Sequence, residues 1–307
     1  MKLIERMWKK VLLFCLIVLL LFSFGGCSAG EYIEQIITEI NLQTYGPEPG
    51  QLQVHFIDVG QADAILAICD GEAMLIDGGN AGDSNLMYTY LQRNGITHLD
   101  YVIGTHAHED HIGGLAGALT YATADTVYSA TTSYDSKAFE NFKKAVAKVD
   151  CEIVVPAVNT EFDVGTARAE ILAVNAASGT NNSSIVLKLT HGDVSFLFMG
   201  DAEYEVEQKL VDAYGDDLDC TVLKVGHHGS SSSSSHSFLW YAMPEYAVIS
   251  VGKDNSYGHP EDSVLSRFQD SGAQLFRTDM QGDIIATSDG SSVLFSVARN
   301  MHADTYN

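Results

Sequence analysis

Residues 105–114 read THAHEDHIGG, in which His106, His108, Asp110 and His111 form a dense set of side chains able to hold a metal ion. Neutral imidazoles and a carboxylate are the natural donors for a zinc-like cation. His106 and His108 are two residues apart, so an extended chain turns both to one side. The competing reading is a solvated polar loop with incidental histidines; the density of donors just past an apolar strand favours the metal. A second segment, KVGHHGSSSSSSH at 224–236, holds His227, His228 and His236 around six consecutive serines. A serine run alone is a flexible spacer, yet this one follows TVLKV, which has the pattern of a buried strand. Asp201 ends another apolar strand, SFLFMG, where in isolation it would be a turn residue.

The elements that must position these groups are short strands and amphipathic helices. LQVHFIDVG, DAILAIC, AMLID and LDYVIGT read as strands closed by Gly, Asp or Thr. SNLMYTYLQRNG, stopped by Gly95, and SKAFENFKKAVAKVD read as helices. The second half has the same make-up, with strands at ARAEILAV, SSIVLKLTHG, SFLFMGD, CTVLKVG, YAVISVG and AQLFRTD, and helices in EYEVEQKLVDAYG and PEDSVLSRFQDSG. Two strand-rich halves, each with helices, predict a layered α/β domain of two packed sheets with helices outside.

The first residues stand apart. Lys2, Arg6, Lys9 and Lys10 precede the apolar run VLLFCLIVLLLFSF and then GGCSAG, the layout of a secretory signal. The apolar run is shorter than the ~20 residues of a spanning helix. Its end, SFGGC, resembles a bacterial lipobox, which implies cleavage before Cys27 and lipid on its thiol. The expected organisation is a lipoprotein signal over 1–26, a polar tether over 27–50, a catalytic domain over 51–300 and a tail over 301–307. That places the domain on the extracellular face of a bacterial cytoplasmic membrane, with secretion as the variant. Cys69, Cys151 and Cys220 remain, an odd number that makes no complete disulfide framework.

The chain carries 17 Lys and Arg against 40 Asp and Glu, a net charge of −23. Removing residues 1–26 leaves it near −26. Such a field repels nucleic acid unless metal ions or a local basic patch reverse it, which argues against a dedicated nucleic-acid-binding module. A nuclease whose metals neutralise the phosphate remains compatible.

The H-x-H-x-D-H pattern resembles the signature of the metallo-β-lactamase superfamily. In order along the chain, HFIDVGQADAILA, MLIDGG, FLFMGDAE, LKVGHHGS and ISVGKDNSYGHP are similar to the extracellular hydrolase domain of the ComEC competence proteins and their free-standing secreted relatives, over roughly residues 52–295. Phosphorylcholine esterases of the superfamily show a similar order. The resemblance implies an αββα sandwich and two divalent cations, Zn or Mn. His106 and His108 would hold the first ion, Asp110, His111 and His227 the second, with Asp201 bridging both. Spacing leaves open which of His227 and His228 ligates; the other would meet substrate, so His228 is counted with Asp110 as catalytic. Many members supply a third histidine to the first ion from the interval before the bridging aspartate. Here that interval holds only His191, in a hairpin-like LTHGDVSF, while the ComEC-like feature is the loop GTNNSSIVL. Asn182, Ser184, Ser230 and His259 are the expected substrate-facing residues, and serines 231–235 a flexible polar rim. Asp77 reads either as an orienting partner of a ligand histidine or as a turn residue. The implied activity is hydrolysis of phosphodiesters or other phosphoesters, extracellular DNA among them, by metal-activated water. The alternatives are a phosphorylcholine-type esterase and an auxiliary substrate-binding lipoprotein of a DNA-uptake or transport system.

Overall fold

Side chains alternate between the two faces of a strand, and central strands such as ILAIC, EAMLI and YAVI are apolar almost throughout, so each sheet has two apolar faces and the fold buries both. The computed structural model describes residues 46–306; the signal segment, Cys27 and most of the expected tether lie outside them. Among the described residues no helix is long and apolar enough to cross a membrane.

The first sheet contains β1 (Leu52–Phe56), β2 (Ile65–Cys69), β3 (Glu72–Ile76), β4 (His98–Gly104), β5 (Thr123–Ser129) and β6 (Ile153–Val154). The second contains β7 (Glu161–Val164), β8 (Ala167–Ala173), β9 (Val186–His191), β10 (Val194–Phe198), β11 (Val222–Lys224), β12 (Tyr246–Ile249) and β13 (Gln274–Arg277). The chain then returns to the first sheet as the hairpin β14 (Ile284–Ser288) and β15 (Val293–Val297). The strand orders are β15-β14-β1-β2-β3-β4-β5-β6 and β13-β12-β11-β10-β9-β8-β7.

Leu52, Val54 and Phe56 of β1, Ile65 and Ala67 of β2, and Phe196 and Phe198 of β10 meet between the sheets. The intervening residues face outward: Leu66, Val102 and Leu75 pack under Leu115, Phe139 and Phe142, and Leu197, Leu223 and Ile249 under Phe238, Val264 and Phe268. The helices covering the first sheet include Ser84–Asn94, Leu115–Tyr121 and Lys137–Lys148; those on the second include Tyr204–Tyr214, His236–Ala242 and Asp262–Ser271. This is the αββα sandwich that the sequence implied. Residues 301–306, expected as a tail, pack back on β13: Thr305 is buried, its hydroxyl donates to the Leu275 carbonyl at 2.9 Å, and Tyr306 donates to the carbonyl of Ala273.

Strands β3 and β4 are parallel neighbours, as are β10, β11 and β12. Their C-terminal ends open at one edge of the sandwich, and the donor-rich segments THAHEDH, GD and GHH are the loops leaving them. Two glycine pairs lock this edge. Gly78 N–H donates to the His111 carbonyl at 2.7 Å, and Gly114 N–H to that of Gly79 at 3.1 Å. A Cβ on Gly114 would lie 1.9 Å from the Gly78 carbonyl oxygen, whereas one on Gly82 meets nothing. Gly114→Ala should therefore cost about 2–3 kcal/mol in denaturant unfolding, since two backbones must separate, with Gly82→Ala below about 0.5 kcal/mol. Equal midpoints for the two variants would refute the close approach.

Candidate metal centre

Asp201 sits three residues beyond β10, 2 % exposed, with four imidazoles around its carboxylate, that of His227 the farthest at 3.8 Å from Nε2 to Oδ2. His111 Nε2 is 3.3 Å and His228 Nε2 3.6 Å from Oδ1; His106 Nε2 is 3.7 Å from Oδ2. Asp110 Oδ2 closes the first group, 3.4 Å from His228 Nε2 and 3.9 Å from His111 Nε2. His108 Nδ1 closes the second, 3.0 Å from His106 Nε2. Two donor sets result, Asp110–His111–Asp201–His228 and His106–His108–Asp201. Asp201 belongs to both through different oxygens.

The first set fits a divalent ion. His111 Nε2, His228 Nε2 and Asp201 Oδ1 are buried and have no hydrogen-bond partner. Donors at the corners of a tetrahedron around a zinc-like ion with ordinary bond lengths stand about 3.3–3.4 Å apart, close to the spacings of this quartet. Buried polar atoms are normally satisfied; these three face one another across the space an ion would fill. The second set offers three donors. Its neighbour Ser184 is buried, its hydroxyl accepting from the Asp201 N–H at 3.0 Å and lying 3.4 Å from His106 Nδ1. His191, the histidine of the intervening segment, is buried on Ser288 at the end of β9.

The far side of each imidazole fixes its tautomer. His111 Nδ1 donates to Asp77 Oδ2 at 2.8 Å, and His228 Nδ1 to the Ser250 carbonyl at 3.0 Å, which leaves both Nε2 atoms directed into the site. Asp77 is held by the Thr105 hydroxyl and N–H at 2.7 and 2.8 Å. Behind His228 lies an ion pair that the sequence pattern did not reveal: Lys224 Nζ is 2.8 Å from Asp63 Oδ2, both side chains buried, and Asp63 Oδ1 is 3.3 Å from His228 Nδ1. A lysine inside the buried strand TVLKV was the available signal, since a buried cation needs a partner.

Residues 57–253 match the family described as the Metallo-beta-lactamase superfamily. The chain belongs to this superfamily. Among curated proteins it is similar to ComE operon protein 3 of Bacillus subtilis (strain 168), 29% identical over 252 residues, covering 76% of this chain and 32% of the relative. It is likewise 29% identical over 249 residues to Competence protein ComA of Neisseria gonorrhoeae, covering 78% of this chain and 33% of the relative. The chain thus spans about a third of the length of these competence proteins. Among solved structures, the metallo-beta-lactamase fold protein YhfI from Bacillus subtilis superposes with a TM-score of 0.52 at 15% identity, covering 78% of this chain and 99% of that one. That likeness speaks for the fold.

The paired histidines part company in this superfamily site. The resemblance assigned His227 to the second ion, but the geometry groups His228 with Asp110, His111 and Asp201. The reason is backbone conformation. His227 and His228 have φ of 51° and 53°, the left-handed region, followed by Gly229 at 82°. Consecutive left-handed residues break the strand alternation, so both rings stay near the cleft, with His228 buried and His227 at its wall. Non-glycine residues held there cost of order 1–3 kcal/mol each, offset by the Ser250 and Asp63 contacts of His228. His227 keeps Nε2 3.8 Å from Asp201 Oδ2 but lies outside both donor sets, its Nδ1 3.0 Å from Ser232 Oγ and 3.5 Å from Glu203 Oε1.

Of the expected substrate-facing residues, His259 lines the cleft, about 550 Å³ in volume, beside Gln61, Asn181 and Tyr257. The other three lie behind it. Asn182 is buried, donating to Glu203 Oε2 at 3.2 Å and accepting from the Glu203 N–H at 3.1 Å. Ser230 is buried against Ser232, and Ser184 supports Asp201. In their place Asn181 reaches the site, its Nδ2 3.4 Å from His227 Nε2. Serines 231–235, expected to be flexible, are tightly held. Ser233 and Ser234 are buried, their carbonyls accept from Arg267 at 2.8 and 2.7 Å, and Glu207 accepts from the N–H groups of Ser234 and Ser235. His98 lies away from the site, paired with Asp125 at 3.2 Å on an exposed surface.

Electrostatics follow from burial and pairing. Burial alone would lower His228, but Asp201 and Asp63 raise it from the ordinary 6.5 to about 10. His111 is likewise opposed by burial and raised well above the usual range by Asp201 and Asp77. Burial would raise the Asp201 carboxyl; His111 and His228 hold it well below its usual value. His106 is lowered well below, first by burial and then by the charge of His111. In metal-free protein the contribution of His228 to stability is therefore complete below pH 6.5 and lost as pH rises toward about 10. The thermal midpoint of chelator-treated protein should fall over that window, and fall less steeply in His228→Gln. Zinc uptake at neutral pH should release protons, seen as a calorimetric heat that depends on the buffer. A buffer-independent heat would contradict the assignment.

Proposed function

We propose that the chain is a metal-dependent phosphodiester hydrolase, held outside the cell by lipid on Cys27. The observation that carries this reading is the quartet of Asp110, His111, Asp201 and His228: the buried His111 Nε2, His228 Nε2 and Asp201 Oδ1 lack hydrogen-bond partners, and neighbouring donors stand 3.3–3.9 Å apart. A bound divalent cation supplies a nucleophilic water at neutral pH and a Lewis acid for a phosphoryl oxygen. Two such ions, Zn or Mn, would share Asp201, one held by the quartet and the other by His106 and His108. Asp77 and the Ser250 carbonyl keep His111 and His228 in the tautomer that presents Nε2. Asp63 and Lys224 hold His228 from behind.

Two groups are free to act on substrate. His227 stands at the cleft wall, its Nδ1 3.0 Å from Ser232 Oγ and its Nε2 3.4 Å from the Asn181 amide nitrogen, so that substrate displacing Asn181 would meet Nε2 with a non-bridging or leaving oxygen. This exchanges the parts expected for the two histidines: His228 becomes the ligand and His227 the substrate-facing group. His259 faces the same space. No serine or cysteine nucleophile is required. The choice of phosphodiesters rests on the similarity to competence proteins, with extracellular DNA as the candidate substrate.

With Zn²⁺ or Mn²⁺ loaded, residues 28–307 should hydrolyse bis-p-nitrophenyl phosphate, and Asp201→Ala should lower kcat/KM by at least about 10²-fold, since even outer-shell changes cost 10–100-fold. Full metal occupancy without turnover of this ester or of single- or double-stranded DNA would remove the phosphodiesterase reading. His228→Ala should reduce bound metal, whereas His227→Ala should keep the metal and lose turnover. The reverse pattern would restore His227 as the ligand.

A further inference from the structure

Charge is scarce where a polyanion would need it. Among the described residues none of the side chains lining the cleft belongs to Lys or Arg, and the wall includes Glu109, Asp110 and Asp201. Apart from bound cations, a phosphodiester strand entering the cleft must draw affinity from contacts that do not depend on charge.

The rim offers one. Tyr257 is 71 % exposed, unusual for so large a ring, and stands at the mouth of the cleft. Its ring is stacked on His259, centroids 5.7 Å apart at 23°, and His259 in turn meets His227 edge-on at 5.7 Å. The pair is fixed from below by Asn255. Its Oδ1 accepts from the N–H groups of Tyr257 and His259, each at 3.1 Å, and its Nδ2 donates to the carbonyls of Gly252 at 3.0 Å and His259 at 2.5 Å. Gln61 closes the other side, its Nε2 3.4 Å from His259 Nδ1 while its Oε1 accepts from the Gly252 N–H at 3.1 Å. A loop so braced presents the outer face of an aromatic ring at a set distance from the metal centre. Among the described residues that ring has no stacking partner beyond His259.

We infer that the Tyr257–His259 pair is a stacking platform for an unpaired nucleobase of the strand whose phosphodiester lies at the metal centre. The inference rests on the phosphodiesterase reading and narrows it to single-stranded nucleic acid. A base within a duplex has both faces covered by its neighbours, whereas an unpaired base is free to stack on an aromatic ring. Such stacking tolerates any sequence because every base has a π-face, and it adds affinity without requiring the cations that this cleft lacks.

The test is equilibrium binding by fluorescence anisotropy, with chelator-treated and with Mn²⁺-loaded full-length protein. The probes are a labelled oligothymidylate and a strand of equal length with abasic sugars throughout. The wild-type protein should bind the thymidylate roughly tenfold more tightly or better. Tyr257→Ala should bring the ratio close to one, and Tyr257→Phe should retain it. Equal binding of the two strands by wild type, or a preference that survives Tyr257→Ala, would overturn the platform. Turnover is read separately. A base preference without hydrolysis of either strand supports the platform and removes the phosphodiesterase reading. Hydrolysis of both strands without a preference removes the platform alone.

Discussion

A carboxylate buried as completely as Asp201 requires positive charge within a few ångströms, and the surrounding architecture is arranged around that requirement. His111 and His228 answer it on one oxygen and His106 approaches the other. Each imidazole then needs an acceptor on its far side, which brings Asp77 beneath His111 and the Ser250 carbonyl and Asp63 beneath His228. Asp63 in turn needs Lys224. The result is a layered alternation of charge that runs from the strand interior of the second sheet to the cleft and ties loops after β3, β4, β10, β11 and β12 to one another.

The backbone makes this alternation possible at a cost. Three of the residues involved, Asp77, His227 and His228, have positive φ without being glycine. Loops leaving adjacent parallel strands fan outward, and curling three of them back toward one point demands conformations that strands do not supply. The glycine pairs at 78–79 and 113–114 serve the same end by letting two of these loops touch backbone to backbone. The local strain is offset by packing in the three apolar layers, where the sheets and helices are otherwise regular.

Much of this was legible in the sequence, and the division has a physical basis. The strands β1 to β4 and β8 to β13 and the helices Ser84–Asn94, Lys137–Lys148, Tyr204–Tyr214 and Asp262–Ser271 announce themselves through period, caps and glycine stops. Less visible were β5, β7 and β15, whose exposed faces dilute the apolar pattern, β14, buried but ending in the polar Thr287 and Ser288, and the helix His236–Ala242, hidden behind serines. The donors in THAHEDH are contiguous and so can be read directly. The distinction between His227 and His228 depends on a left-handed turn, and that between Asn181 and Asn182 on a single helical turn of type 3-10. Neighbours in sequence share composition and motif but point in different directions, and direction is set by dihedral angles that the letters do not specify. Asp63 illustrates a different loss: its meaning depends on Lys224, 161 positions away in the sequence numbering and in the other sheet.

The serine run offers the clearest contrast between composition and behaviour. Its hydroxyls cap the helix at Ser235, brace His227 through Ser232 and bond the Ala202 carbonyl through Ser233, while its backbone is shared between Glu207 and Arg267. A side chain much larger than serine has no room at Ser233 or Ser234, both buried. Low complexity here reflects a narrow channel that the chain must thread, one small polar residue after another. A protease seeking slack, polar sequence would find a segment already drawn taut around the metal centre.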